Sequence, residues 1–192
     1  MSEKNKIPEF TVIAKEVRED AARFAANEAQ KFFKNSFLRG GFTDAAFRPW
    51  KSRKSTLGGK KILYHSGALM QSIRPTEISV NRVVITSDTA YSEIHNSGGI
   101  VTVTAQMKKW WWRQYYILSG KVKKTKHGKA SKSAANRKTN AKAQYCKNMA
   151  LMKTGSKIKI PKRQFMGDSA TMKKKFDQWL RKHIKQLPMT KN

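Results

Sequence analysis

At 192 residues, with 39% hydrophobic residues and 9 Phe, 5 Trp and 5 Tyr, the chain is long enough to bury a core and too apolar to be disordered throughout. Its 41 Lys and Arg against 12 Asp and Glu leave a net charge of +29, which calls for a negative partner: nucleic acid, a membrane surface or acidic faces of neighbouring subunits. The single cysteine, Cys146, excludes an intrachain disulfide and a cysteine-based metal site; no apolar run approaches the roughly 20 residues of a membrane span, and the opening MSEKNKIPEF has no signal-peptide core, so synthesis in a reducing cytosol is expected.

A long N-terminal helix is the first predicted element. Ile13, Val17, Ala21, Phe24, Ala25 and Phe32 recur at steps of three and four, Phe33 and Phe37 widen the stripe, and Gly40-Gly41 stops it. Thr11 is its expected cap. Residues 42–62 read as an irregular extended arm containing Pro49, Gly58 and Gly59, pinned by Phe47 and Trp50. Ser66 then caps a short helix carrying Leu69 and Ile73. Thr76–Val80 and Val83–Thr86 form a hairpin about Asn81-Arg82. A further helical turn with Tyr91, Ile94 and His95, capped at Asp88 or Thr89, ends at Asn96-Ser97-Gly98-Gly99.

Val101 and Val103 continue as a strand. Met107, Trp111, Tyr115 and Leu118, joined by Trp110, then mark one face of a helix. Residues 119–140 are poor in apolar side chains and are expected to be mobile in the free protein, with a second helix resuming at Ala141 and carrying Tyr145, Met149 and Met152. Ile158 and Ile160 alternate with lysines, as in a half-buried strand. The C-terminal helix carries Met172, Phe176, Trp179, Leu180, Ile184 and Leu187, is capped by Asp168 or Ser169, and is followed by Pro188.

The basic charge is concentrated. From Ile94 to Gly167, 74 residues hold 18 Lys and Arg and no acid, whereas residues 1–93 carry 16 bases and 10 acids. Lys121, Lys123, Lys124, Lys126, Lys129, Lys132, Arg137, Lys138 and Lys142 are the candidate contacts to DNA or to an acidic partner. A solvated basic loop is the plainer alternative. Three consecutive tryptophans, Trp110, Trp111 and Trp112, cover roughly 200° of a helix surface. At least one is therefore left for another subunit or, among Lys108, Lys109 and Arg113, for stacking on bases. Subunit packing is the preferred reading, with Trp50 as a further candidate.

No catalytic constellation emerges. His65, His95, His127 and His183 lack metal-ligand spacing. The adjacent Glu19 and Asp20 point to different sides of a helix. Gly58-Gly59-Lys60-Lys61 lacks the first glycine and the Ser/Thr of a phosphate loop. His95 reads as a packed histidine and Cys146 as a half-buried bystander. A non-enzymatic protein without metal or cofactor is expected.

Three blocks carry a resemblance. Ile62-Leu63-Tyr64-His65-Ser66-Gly67-Ala68-Leu69-Met70-Gln71-Ser72-Ile73, Tyr91-Ser92-Glu93-Ile94-His95-Asn96-Ser97-Gly98-Gly99 and Ile160-Pro161-Lys162-Arg163-Gln164-Phe165-Met166-Gly167 occur in that order. With Trp50-Lys51 and Met107-Lys108-Lys109-Trp110-Trp111-Trp112, they resemble the phage virion morphogenesis family, the Mu G-like tail-completion proteins. Gln164 departs from the proline usual there, and the basic 119–140 stretch looks like an insertion.

The resemblance implies a structural virion protein that completes the tail or joins head to tail as a ring at the neck, most simply a hexamer. Its implied partners are copies of itself, tail-tube and connector proteins and packaged DNA, with no membrane. It would sit in the virion tail or neck, and in host cytoplasm during assembly. Gly67, Gly98, Gly99, Pro161 and Phe165 become structural motif residues. The expected fold is α+β: a small antiparallel sheet, long N- and C-terminal helices and a helical basic insertion at about 104–156, in a single domain spanning 1–192. The rival reading is a basic nucleic-acid-binding protein, against which the nearly balanced charge of residues 1–93 weighs.

Overall fold

A computed structural model of the chain describes residues 10–53 and 61–186. In chain order its elements are α1 (Phe10–Arg39), β1 (Gly41–Thr43), β2 (Phe47–Pro49), α2 (Ala68–Gln71), β3 (Ile73–Ser79), β4 (Arg82–Ser87), α3 (Ser92–Ser97), β5 (Gly99–Thr102), α4 (Ala105–Ser119), α5 (Ala134–Leu151), β6 (Lys157–Ile160) and α6 (Ala170–Lys185). The fold is α+β, and the strands pair antiparallel as β1–β2, β3–β4 and β5–β6, each a separate two-stranded sheet. Two compact units emerge: one from the segments ending at Trp50, spanning Ser66–Ser92 and starting at Gln164, the other from Lys51–His65 and Glu93–Arg163. The expected insertion at 104–156 lies inside the second. Residues 54–60 of the expected arm, Leu187 and Pro188 fall outside the described residues.

In the first unit α1 packs against β3, β4 and α6. Its buried side chains are Ala22, Ala26, Phe33, Ser36 and Phe37. Phe33 and Phe37 belong to the predicted stripe, whereas Ala21 and Ala25 flank the buried Ala22 and Ala26 because α1 is covered from two sides. Phe24 stacks on Trp179 of α6 at 4.2 Å, while Gln30 Nε2 donates to the Ile73 carbonyl of β3. Thr11 lies within the helix rather than capping it; the apolar period marks what α1 packs against, not where it begins.

Gly40, at φ +71°, ends α1 and donates its N–H to Ser36. Residues 41–49 then form a tight hairpin, not an irregular arm. Gly41 is required there, since a Cβ would sit 2.5 Å from the Arg48 carbonyl oxygen. Ser66 Oγ accepts from Ala68 N at the short α2, but Ile73 opens β3 instead of extending the helix. The β3–β4 turn is Val80-Asn81, one residue earlier than predicted. Ser79 pairs with Arg82, and the Ser79 hydroxyl both accepts from Arg82 N and donates to Arg82 O, which extends β4 by that residue. Asp88, a candidate cap, pairs with Arg74 instead. Ser169 caps α6: its hydroxyl accepts from Met172 N and donates to the Thr43 carbonyl.

In the second unit α4 and α5 pack along one another, and β5 pairs with β6 from Gly99↔Ile160 to Thr102↔Lys157. Gly98 ends α3 at φ +76°, and a Cβ there would meet Lys162 N at 2.8 Å. Thr104 caps α4 and Ser133 caps α5. The second helix thus starts at Ala134, not Ala141. Val103, Ala143, Cys146 and Ala150 make a thin core of small side chains.

Candidate interaction surface

The seam between α4 and α5 uses the predicted face. Trp111 meets Tyr145 edge-on at 5.7 Å, and Lys147 Nζ lies 6.0 Å from the Tyr115 ring centre. No residue of α4 is fully buried. Its far side exposes Lys109, Trp110, Arg113, Tyr116 and Ile117, in which Arg113 lies three or four positions from each of the others. Trp110 is 50% exposed and Tyr116 66%. Trp112 is half-buried and stacks on Tyr116 at 5.9 Å, 26° between planes. All three tryptophans have ring partners within the unit, Trp110 meeting Trp111 edge-on at 4.6 Å, but Trp110, expected to join the packed face, keeps half its surface exposed. Trp50 does not present itself to a neighbour. It is buried, packs edge-on against Phe37 at 5.6 Å, and its Nε1 donates to the Gln164 carbonyl at 2.7 Å.

The basic turn between α4 and α5 takes a hydrogen-bonded conformation, and α5 already begins at Ala134, inside the stretch 119–140 expected to lack structure in the free protein. Lys124 and Ala130 form an antiparallel bridge. Inside it, Thr125 N donates to Lys129 O at 2.7 Å, Gly128 N donates to Thr125 O at 2.9 Å, and Gly128 adopts φ +73°. Asn136, on the first turn of α5, holds the base. Its Oδ1 accepts from Lys123 N at 2.8 Å, and its Nδ2 donates to Lys123 O at 3.0 Å and to Ser131 O at 2.7 Å. Asn136 is 5% exposed, so its amide uses both donors where water does not compete. Sequence reading missed this residue; the available signal was a Ser133-x-x-Asn136 helix start.

Eight of the nine candidate cations, Lys121, Lys123, Lys124, Lys126, Lys129, Lys132, Arg137 and Lys138, are exposed, and Lys142 is half-buried. Among the described residues, no ion pair involves α4, α5 or the turn between them; the pairs of Arg23, Arg74, Arg82, Lys173, Lys175, Arg181 and His183 all lie in the first unit.

The resemblance-block residues meet one another rather than lining a cleft. Phe165 is fully buried, with its ring 5.0 Å from Phe37. Arg163 N donates to His95 O at 2.8 Å, and Arg163 Nε donates to Lys51 O at 3.2 Å. Gly67 takes φ +84° before α2, Gly99 opens β5, and Pro161 follows β6 half-buried. Burial, and after it the Arg163 guanidinium, lowers the His95 pKa from its ordinary 6.5. Burial raises that of the Cys146 thiol, which is fully enclosed rather than half-buried. An open cleft of about 440 Å³ beside the turn is lined by Tyr115, Ser119, Lys124, Asn140 and Gln144, with no carboxylate. Among the described residues no three His, Cys, Asp or Glu gather as a metal ion would need, and no helix is long and apolar enough to cross a membrane. No protein-family model, curated protein or solved structure matches the chain.

Proposed function

We propose that this chain is a structural virion protein of a tailed phage, a tail-completion or head-to-tail joining protein that acts as a homo-oligomeric ring at the neck and carries out no catalysis. The observation that carries this reading is the use made of the resemblance blocks. Trp50 is hydrogen-bonded to Gln164, Phe165 is seated on Phe37, Arg163 is tied to His95, and Gly98 lies under Lys162. Such residues hold backbone segments together; a reaction centre would need them to converge on a space. The uncovered surfaces also suit a ring. The α4 face with Trp110, Tyr116 and Ile117 is one, and the start of α1, where Phe10 and Val12 stand exposed near Glu16, is a chemically different one. Head-to-tail closure requires two unlike patches.

Tail-tube and connector proteins would be its neighbours, with host cytoplasm as the place of assembly. Mass spectrometry of purified particles and negative-stain microscopy of particles and of the purified protein test the reading. The expected results are this chain in the particle as a ring of uniform size, six subunits in the simplest case, and a monomer or weak oligomer when the protein is purified alone. A protein absent from particles and monomeric at every concentration overturns it. The second reading, a basic nucleic-acid-binding protein, is favoured by the absence of ion pairs around α4 and α5.

A further inference from the structure

We propose that the stapled turn between α4 and α5 is a docking site for the phosphate backbone of double-stranded DNA, with Asn136 as its positioning residue. The site is built rather than merely charged. Asn136 fixes Lys123 by both backbone groups and Ser131 by its carbonyl. The Lys124–Ala130 bridge projects Lys124, Lys126 and Lys129 from a closed turn. Cations held in place lose less freedom on binding than cations on a free strand. The field around them is not answered from within the chain. Residues 94–167 contain no acid, and among the described residues no ion pair reaches the turn or its helices. The acids of the first unit are largely engaged already, Glu19 and Asp20 with Arg23, Glu28 with Lys175, and Asp88 with Arg74. A second copy is therefore a poor neutralising partner.

The choice of duplex follows from what accompanies the charge. Residues 121–132 contain no Phe, Trp or Tyr and a single imidazole, His127, so unpaired bases would find little stacking surface on the turn itself. Contacts made to the backbone alone are rewarded most by the duplex, with one charge per about 1.7 Å of axis. A membrane surface fits less well. The exposed face of α4 sets Lys109 and Arg113 among Trp110, Tyr116 and Ile117, whereas an interfacial helix separates its apolar face from its cations.

The test is fluorescence anisotropy of the full-length protein with a random-sequence duplex of about 20 base pairs, at salt between about 50 and 200 mM. Binding without sequence preference, and a steep fall of affinity with salt, are expected for the wild type. Asn136→Ala keeps the net charge, yet should weaken binding about tenfold or more and flatten the salt dependence, because fewer phosphates are neutralised. Circular dichroism reports whether that variant keeps α5. If it does not, two triples decide. Lys124→Gln/Lys126→Gln/Lys129→Gln should weaken binding far more than Lys31→Gln/Lys174→Gln/Lys182→Gln, which removes equal charge from exposed positions of the first unit.

Equal weakening by the two triples, or Asn136→Ala binding like wild type with α5 intact, overturns the proposal. So does tighter binding to a single-stranded oligonucleotide of the same length, or binding to phosphatidylserine vesicles without binding to duplex. The virion reading stands apart from it. Rings that ignore duplex would overturn the docking site alone, and duplex binding in the expected pattern by a protein absent from particles would uphold the site and overturn the virion reading.

Discussion

Phe165 has no accessible surface and rests on Phe37, so Phe165→Ala should cost about 3–5 kcal/mol, read as a shift in the denaturant midpoint of the first unit. His95 gives a pH dependence whose sign is set by burial and then by Arg163, which together hold its folded pKa below 6.5. As pH falls, the unfolded chain takes up this proton first. The stability contributed by neutral His95 is thus complete above about 6.5 and is lost as pH falls from there to the lower folded value. The midpoint of the second unit should fall between about pH 7.5 and pH 5.5, and His95→Gln should flatten that slope. Cys146, enclosed and with its pKa raised by burial, should react with a thiol reagent only when α5 opens, so labelling should follow unfolding and not the native state. At this scale the sequence was legible where a residue type has one strong physical reason for its place: Gly98 for a positive φ, Ser169 for a cap, Phe165 for burial. Asn136 was hidden because a buried amide in a polar stretch has the same letter as a solvated one.

At the scale of elements, pattern found every helix of two turns or more but misplaced some of their ends. α5 starts at Ala134 because Ser133 caps it and Asn136 braces it; Ala134, Ala135 and Asn136 contribute no apolar stripe that would reveal this in advance. On α1 the predicted Phe33 and Phe37 are buried, while Ala21 and Ala25 flank the buried Ala22 and Ala26, because two partners cover the helix and periodicity averages over both. The arm after α1 read as irregular because β1 and β2 have three residues each, too few to show alternation. The candidate surface was half legible. Charge and tryptophans were visible in the sequence, but which tryptophan stays exposed depends on Tyr145 and Tyr116, distant or neighbouring rings that spacing alone does not select. Ser169→Ala removes an N-cap that also donates to Thr43 O. It should destabilise the first unit by about 1–2 kcal/mol, with amide exchange rising first in α6.

For the whole molecule, the two units should respond differently to salt. The first contains exposed ion pairs such as Arg74–Asp88 and Arg181–Asp177, which contribute little and are weakened by screening. Around α4 and α5 there is only like charge to screen, and the Debye length contracts from about 10 Å at 0.1 M to about 3 Å at 1 M. Hydrogen exchange should therefore slow with added salt in α4 and α5 while staying level or quickening in α1 and α6; parallel behaviour in both would contradict this account. The segmented layout of the first unit also governs the order in which a growing chain can finish it. Trp50 waits for Gln164, 114 residues downstream, and the hairpin at Thr43 waits for Ser169, 126 residues downstream. At about 5–20 residues per second of translation, β3 and β4 can cover their side of α1 early, but the side that packs against Phe165 and α6 stands open on the ribosome for on the order of ten seconds while the whole basic hairpin is made and can close. The unit with the unanswered positive charge is thus the one that is ready first, and the unit with the larger core is the one that a nascent chain leaves exposed to chaperones.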